Sequence, residues 1–169
     1  MTILVESRRK KRETLEQHYP GAHILDVTSR AAQPWVKCSP FYPHGAIPVP
    51  LSPGYSAASV EGIWQGLKVF ANVDVDIDSF TNTTMKGLKR TVRTNGPVQG
   101  HRAGVHGTAL LSYREARYRI YLPAYRWVLD NCLQSELSHI RQLSNSHTVV
   151  LLDYEVNTDI DNCSKPLSQ

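Results

Sequence analysis

Five prolines between residues 39 and 53 constrain the fold of this chain more than any other feature. Proline fixes its own φ and lacks a backbone N–H, so the segment is predicted to be extended, with turns at Gly45 and Gly54, and to contain no helix. Loops of this length are uncommon inside compact domains unless they line a binding site. The segment is therefore predicted to be either the wall of a site or a rigid surface connector.

The stretch that follows, from Ser59 to Phe70, has the spacing of an amphipathic helix. Its apolar residues recur three and four positions apart, at Val60, Ile63, Trp64, Leu67 and Phe70. Ser59 is suited to cap the helix. Glu61 stands beside the apolar stripe in the first turn, where a carboxylate gains from the helix dipole. Glu61 is therefore interpreted either as a first-turn acid without chemistry or as the acid of a site.

The positive charge of the chain is concentrated near its N-terminus. The net charge is +4, and residues 1–12 hold five cations against one acid, so the remainder is neutral. Such a run is typical of a solvated helix face or a loose arm. The sequence predicts a basic N-terminal helix or arm at residues 1–20, helical over residues 6–18, followed by a single domain at residues 21–169.

The cysteines and the hydropathy pattern bear on where the protein is located. Cys38, Cys132 and Cys163 form no CxxC pair, and an odd number leaves no complete disulfide framework. No apolar stretch follows the basic segment as it would in a secretory signal. No apolar run approaches the roughly 20 residues of a membrane helix. The sequence predicts a cytoplasmic protein with free thiols and no membrane partner.

A second basic region covers residues 79–114, which contain no acid. The spacing of Met85, Leu88 and Val92 predicts a short helix over residues 83–93. That helix would present Lys86, Lys89, Arg90 and Arg93 on its other side, as a phosphate site or as a solvated face.

A glycine-rich loop follows at residues 100–107, where three glycines would let the backbone approach a ligand closely. The loop contains His101 and His106. Neither has a cysteine or carboxylate at ligand spacing, so we expect no metal and no cofactor.

The other elements predict an α+β fold, predominantly helical around a small β-sheet. A short strand is predicted at residues 22–27 and an extended piece at residues 35–38. Residues 112–133 have a helical pattern in which Pro123 kinks one helix or starts a second, and residues 134–143 form a further helix. A buried strand at residues 148–152 delivers Asp153 at its carboxyl end, a common place for chemistry.

Two stretches together resemble a known family. Ser39-Pro40-Phe41-Tyr42-Pro43, followed after a gap by Ser59-Val60-Glu61-Gly62-Ile63-Trp64-Gln65-Gly66-Leu67-Lys68-Val69-Phe70, resembles the opening of the YbiA-like (NADAR) superfamily. There an S-x-F-Y-P segment precedes a T-V-E-H-x-x-Q-x-x-K-x-F helix. Gly62 stands where that family has histidine, and the family's late D-x-x-W-G-x-G motif is missing. The resemblance implies a small, mainly helical domain that hydrolyses N-glycosidic bonds in ADP-ribose-type or ribosylated pyrimidine compounds.

The resemblance also implies roles for individual residues. Cleavage of a ribose N-glycosidic bond passes through an oxocarbenium-like state that needs a nearby carboxylate. Glu61 takes this role, and Asp153 is the predicted second acid or positions water. Aromatic rings would stack on the base and cations would hold phosphates, with Lys68 two turns after Glu61 on the same helix. The predicted substrate-binding residues are Ser39, Phe41, Tyr42, Trp64, Lys68, Lys86, Lys89, Arg90, His101 and Arg102.

Three functions remain open at the level of sequence. The first is an N-glycosidase-type hydrolase that acts on ADP-ribose-linked or ribosylated nucleotide-like small molecules. The second is a non-catalytic module that binds ADP-ribose or a nucleotide, which predicts affinity without turnover. The third is a nucleic-acid-associated protein, which rests on the two basic regions and predicts binding that weakens steeply with salt.

Overall fold

The computed structural model describes residues 2–168, so Met1 and Gln169, the outer ends of the predicted segments 1–20 and 21–169, lie outside the described residues. The predicted α+β class is confirmed by a combination of helices with small sheets. The chain forms two compact units that interleave in sequence. The first unit runs up to Ser39 and resumes at Leu133, and the second is Pro40–Cys132.

The helices are α1 (Arg12–His18), α2 (Val60–Leu67), α3 (Val92–Asn95), α4 (Tyr113–Ala116), α5 (Leu122–Cys132) and α6 (Gln134–Ser146). The strands are β1 (Thr2–Ser7), β2 (His23–Asp26), β3 (Ile47–Pro48), β4 (Ser56–Ala57), β5 (Lys68–Phe70), β6 (Val98–Arg102), β7 (Leu110–Leu111) and β8 (Thr148–Asp153). Short 3₁₀ turns lie at Trp35–Cys38 and Ile77–Thr81, and the π-helical segment Arg117–Tyr121 joins α4 to α5 without a break.

The first unit is built on a three-stranded parallel sheet in the order β1-β8-β2. The central strand β8 reads Thr-Val-Val-Leu-Leu-Asp, the near-continuous apolar run expected of a strand covered on both faces. Leu15 of α1 packs with Val150 and Leu152 to form the buried core of this unit. Because all three strands are parallel, Ser7, Asp26 and Asp153 end at one edge of the sheet.

The N-terminal helix prediction is corrected by this sheet. Thr2–Ser7 pair with β8 residue by residue, from Thr2 against Thr148 to Ser7 against Asp153. The helix begins only at Arg12, after a turn in which Lys10 N–H donates to the Ser7 carbonyl at 3.0 Å. The apolar residues Ile3, Leu4 and Val5 suit a strand, and their partner lies more than a hundred residues away, beyond any local pattern.

The second unit contains the antiparallel sheet β5-β6-β7 and the β3-β4 hairpin. Helix α2 lies close against the 3₁₀ turn at residues 77–81. At Gly62 an added Cβ would lie 2.6 Å from the Ser79 carbonyl oxygen, so glycine is what permits this approach. Helix α2 ends at Leu67, and Lys68, predicted to continue the helix, is the first residue of β5.

The predicted helix over residues 83–93 was wrong. Only Val92–Asn95 is helical, and the preceding segment is a loop in which Met85 and Gly87 have φ of 59° and 69°. A left-handed residue is incompatible with a continuous right-handed helix. The loop is held by tertiary bonds from Arg90 to distant carbonyls.

A smaller prediction also changes. Residues 35–38, predicted to be extended, form a 3₁₀ turn. A second 3₁₀ turn lies at residues 77–81. There Asp76 caps the turn by accepting from Asp78 N–H at 3.2 Å and Ser79 Oγ–H at 2.7 Å.

The close packing of α2 gives a stability prediction. In an exposed helix interior, alanine is more favourable than glycine by about 1 kcal/mol. We expect Gly62→Ala to have the opposite sign and to lower the free energy of unfolding by about 1–3 kcal/mol, because the new methyl group overpacks against backbone. Urea denaturation followed by far-UV circular dichroism measures this change. Equal or higher stability of the variant would contradict the close packing.

Candidate functional site

Helix α2 and the proline-rich segment are joined by hydrogen bonds at the helix start. Ser59 Oγ accepts from Gly62 N–H at 3.0 Å and caps the helix as predicted. Glu61 N–H donates to the Pro40 carbonyl at 2.8 Å. Ala58 N–H, just before the cap, donates to the Phe80 carbonyl at 2.7 Å. The structure therefore ties the Pro40-Phe41-Tyr42-Pro43 segment to the first turn that carries Glu61.

Glu61 is a buried carboxylate, with 8% of the residue exposed. Its Oε1 accepts a hydrogen bond from Gln65 Nε2 at 2.9 Å, one helical turn further on. Burial raises the pKa of Glu61, while the Gln65 hydrogen bond and the positive charges of Lys89 and Lys68 act in the opposite direction. A carboxyl group with a raised pKa can hold or release a proton closer to neutral pH than an exposed glutamate can.

Two amino groups supply the positive field around Glu61. Lys68 is half-buried, and burial lowers its pKa although the charge of Glu61 favours the protonated form. Lys89 is exposed, with Nζ 5.8 Å from the ring centroid of Phe41. Within residues 2–168 neither amino group donates a hydrogen bond or forms an ion pair. These two amines thus have donors available to an anion.

Arg90 acts as a backbone clamp. Its Nη1 donates to the carbonyls of Gln65 at 2.9 Å and Lys68 at 2.8 Å, and its Nη2 donates to that of Asp74 at 2.8 Å. The guanidinium also lies 5.0 Å from the ring centroid of Phe70. Arg90 was predicted to bind substrate phosphate, whereas the structure shows its terminal nitrogens bonded to backbone carbonyls at the junction of α2 with β5 and in the segment after β5.

His101 lies in β6, directly opposite Lys68 of β5, and is 1% exposed. Its ring centroid is 3.8 Å from that of Trp64. Among residues 2–168, neither ring nitrogen has a hydrogen-bond partner of good geometry. Burial, together with the charge of Lys68, lowers the pKa of His101 to about 3, against a weak opposing effect of the Trp64 backbone. The imidazole is therefore neutral at physiological pH.

Trp64 is the centre of an aromatic cluster. The rings of Tyr113 and Tyr121 each lie 5.8 Å from the Trp64 ring, edge to face. The predicted stacking residues Phe41 and Tyr42 lie in the segment bonded to α2, with Phe41 beneath Lys89 and Tyr42 against His44 at 4.8 Å. Aromatic surface and amines therefore occur in the same unit as the buried carboxylate.

The remaining predicted residues have other partners or lie in the other unit. Arg102 donates Nη2 to Asp74 at 2.7 Å and Nη1 to the Thr108 carbonyl at 3.0 Å. Lys86 is exposed in the loop that replaces the predicted helix.

Asp153 and Ser39 belong to the first unit, and both are buried. The Asp153 carboxylate accepts from Tyr154 N–H at 2.6 Å and from Ser168 Oγ–H at 3.0 Å. The role of Asp153 as second acid stays a prediction.

Sequence reasoning missed two residues that the structure makes prominent. Gln65 bonds Glu61 through its amide nitrogen and accepts from Arg90 N–H at 3.1 Å through its amide oxygen. Its position four residues after Glu61 was the available signal. Arg117 is 2% exposed, with its guanidinium 4.6 Å from the ring centroid of Tyr113. It lies in the π-helical segment, and Pro123 was the only sequence sign of irregularity there.

The position of Gly62 has a structural reason. The resembling family has histidine after the glutamate, but in this chain even a Cβ at residue 62 meets the Ser79 carbonyl. This side of α2 is used for packing, so no side chain at residue 62 can serve the site. A role played by that histidine would have to be supplied by another group.

Two properties of the described residues bear on partners. Residues 2–168 contain no group of three or more His, Cys, Asp or Glu side chains that could hold a metal ion. No helix in the same range is long and apolar enough to cross a bilayer.

The fold and the site define an α+β protein in which a buried carboxylate on α2 lies under the electrostatic influence of Lys68 and Lys89, in a unit that also contains the aromatic cluster of Trp64. The chain belongs to a family of unknown function (DUF6939), whose model matches residues 7–169. No curated protein matches the chain.

Proposed function

We propose that this protein is an N-glycosidase-type hydrolase that acts on ADP-ribose-linked or ribosylated nucleotide-like compounds, with Glu61 as the carboxylate that acts at the ribose. The observation that carries the proposal is the environment of Glu61. It is a buried carboxylate whose hydrogen-bond partner is the neutral Gln65, with two amines close enough to influence its pKa. The likeness to the YbiA-like superfamily is part of the proposal, supported by the Pro40–Glu61 bond that joins the two resembling stretches.

The proposed reaction breaks the bond between the ribose anomeric carbon and a base nitrogen. The bonding electron pair leaves with the base, and positive charge develops on the ribose ring. The Glu61 carboxylate stabilises that charge in a water-poor surrounding, where electrostatic effects are strong. A water oxygen then bonds to the anomeric carbon, and the proton that water loses ends on the departed base. Glu61 can relay this proton because its raised pKa suits proton transfer.

The surrounding groups suit the rest of such a substrate. Lys68 and Lys89 offer amines to a phosphate or diphosphate beside the carboxylate. The rings of Phe41, Tyr42 and Trp64 offer flat apolar surface to a heterocyclic base. A cytoplasmic location belongs to the same proposal, because Cys38, Cys132 and Cys163 form no disulfide among residues 2–168, as is usual in a reducing compartment.

A second candidate function is a non-catalytic module that binds ADP-ribose or a nucleotide. The observation that favours it is Gly62, which stands where the resembling family has histidine and cannot be replaced without moving the Ser79 carbonyl. Such a module uses the same amines and rings and shows affinity without turnover.

The test incubates the wild type, Glu61→Gln and Glu136→Gln with ADP-ribosylated guanosine and pyrimidine riboside phosphates. Glu136 is the matched control, because it is also a buried glutamate, 6% exposed, and is bonded to Lys37 in the other unit. Mass spectrometry measures base release, and ligand-induced thermal shifts are recorded in parallel. If the protein is a hydrolase, we expect the wild type and Glu136→Gln to release the base and Glu61→Gln not to release it. A thermal shift without release favours the binding module, and absence of both contradicts the two proposals.

A further inference from the structure

We propose that the first unit has a separate binding site for a phosphate group at the carboxyl edge of its parallel sheet, formed by Arg8, Lys10 and Arg12. This site lies outside the Glu61 unit and does not depend on the proposed hydrolase function. Its ligand is a phosphate or the phosphomonoester of a small molecule.

A cavity lies at this edge of the sheet. It has a volume of about 260 Å³, slightly below the roughly 300–1,000 Å³ of pockets for drug-sized ligands. Its lining consists of three cations, one carboxylate and three apolar residues: Arg8, Lys10, Arg12, Asp26, Leu15, Ile24 and Leu152. The lining offers cationic hydrogen-bond donors to an anion, and the size of the cavity favours a small one.

The cavity lies where the sheet topology favours a ligand. Arg8 follows β1 directly, and Asp26 is the last residue of β2, so the cavity opens at the carboxyl ends of parallel strands. In open parallel sheets this edge is where ligands bind. The connection from β1 to β2 passes over the intervening strand β8, which places the basic turn at the edge rather than in a loose arm.

Arg8 and Arg12 each use one side-chain nitrogen to bond a carboxylate. Arg8 donates Nε to Asp26, and Arg12 donates Nε to Glu16 at 2.8 Å. Their terminal nitrogens make no hydrogen bond to any of residues 2–168. Each guanidinium is thus paired through its inner nitrogen and retains the two outer donors that can bind phosphate bidentately.

Each of the three cations has a carboxylate partner, so the donors that remain on each of them are what the cavity offers to an anion. Alternate residues of the basic run line the cavity, whereas Arg9 turns away and donates to the Tyr154 carbonyl at 3.0 Å. Lys10 pairs with Glu6 at 2.6 Å. The Asp26 carboxylate is satisfied by Thr28 N–H at 3.0 Å and Thr28 Oγ–H at 2.7 Å as well as by Arg8, which offsets its repulsion of an anion.

The experiment titrates inorganic phosphate and, separately, AMP into the full chain by isothermal calorimetry. Arg12→Gln is the test variant, because the Arg12–Glu16 pair that it breaks is exposed and exposed pairs contribute little to stability. Arg126→Gln is the matched control, since Arg126 forms the same kind of exposed i,i+4 pair, with Asp130, on α5. We expect Arg12→Gln to weaken binding at least about tenfold, as loss of a charge-assisted contact does, and Arg126→Gln to leave it unchanged. Lys89→Gln tests whether the phosphate binds beside Glu61 instead.

Each outcome decides the proposal. Equal affinity for the two probes supports recognition of phosphate alone, and tighter binding of AMP supports a phosphomonoester. The proposal is overturned if the wild type binds neither probe, if Arg12→Gln and Arg126→Gln behave alike, or if only Lys89→Gln loses binding. A single-stranded oligonucleotide that binds in a salt-sensitive, Arg12-dependent way, without binding of phosphate or AMP, overturns it in favour of a nucleic-acid surface.

Discussion

Glu61→Gln is expected to lower the rate of base release at least about a hundredfold, the usual effect of removing a catalytic acid or base, without destabilising the protein at neutral pH. Activity and stability respond differently to this substitution, because burial penalises the charged form of Glu61 and raises its pKa. A neutral amide of the same shape avoids that penalty. Loss of activity therefore reports the chemistry of the carboxylate and not collapse of the site.

The pH dependence of stability follows from the same shift. The pKa of Glu61 is 4.5 in the unfolded chain and higher in the folded protein. At pH values between these two, the folded protein therefore binds the Glu61 proton more tightly than the unfolded chain does. The favourable contribution of this proton to the free energy of unfolding is therefore fully present below pH 4.5. It is lost as the pH rises through the pKa of Glu61 in the folded protein. Glutamine does not titrate. We expect the stability of Glu61→Gln relative to the wild type to increase as pH rises through that window.

Urea denaturation of both proteins at several pH values measures this difference, with Glu136→Gln again as the matched variant. Glu136 forms an ion pair with Lys37 at 2.9 Å, so its replacement leaves a partly buried cation without that partner. We expect Glu136→Gln to be less stable than the wild type at neutral pH. A similar loss of stability in Glu61→Gln would show that Glu61 is held as a paired structural charge, against the proposed role.

The second large effect is acid destabilisation through His101. Its pKa is lowered to about 3, against 6.5 for the unfolded chain. Below pH 6.5 the unfolded chain binds a proton that the buried ring does not, so stability is present above that value and falls as pH is lowered. The loss is about 1.4 kcal/mol per pH unit, or roughly 2 kcal/mol between pH 6.5 and pH 5.

His101→Leu is expected to remove this dependence, because leucine neither titrates nor leaves buried nitrogens without partners. The quantity to compare is the slope of unfolding free energy between pH 6.5 and pH 5, since substitution against Trp64 also changes the stability at every pH. His106→Leu is the matched control, because His106 lies in the same region of the chain but is exposed. If His101→Leu and the wild type have equal slopes, the ring of His101 is protonated in the folded protein and has an unseen partner.

The sequence was most informative where structure follows from short-range spacing. Val60, Ile63 and Leu67 recur at helical intervals and are buried on one stripe of α2, and Ser59 caps that helix as predicted. The apolar run before Asp153 forms the buried central strand. These elements depend on neighbouring residues and on burial of one face, which periodicity reports directly.

The candidate site could be predicted only in part. Glu61 was identified from its place in the helical pattern. The hydrogen bond from Glu61 N–H to Pro40 and the orientation of Lys68 could not be predicted from the sequence. Lys68 continues the helical spacing, yet the helix ends at Leu67 because the chain turns into β5 and pairs with β6. Arg90 bears the same charge as Lys89, so the sequence does not show which of the two is available to a ligand. The structure shows that Arg90 bonds the carbonyls of Gln65, Lys68 and Asp74 and therefore holds the backbone instead.

By itself the sequence determined the α+β class, the start of α2 with Glu61 in its first turn, and the strand that ends at Asp153. Tertiary structure alone decided that Thr2–Ser7 is a strand, because its hydrogen-bond partners are supplied by β8 at the other end of the chain. It also decided the charge environment of Glu61 and His101, because desolvation depends on which distant segments cover a side chain. Local spacing encodes the elements, whereas long-range contacts set the burial and charge on which their chemistry depends.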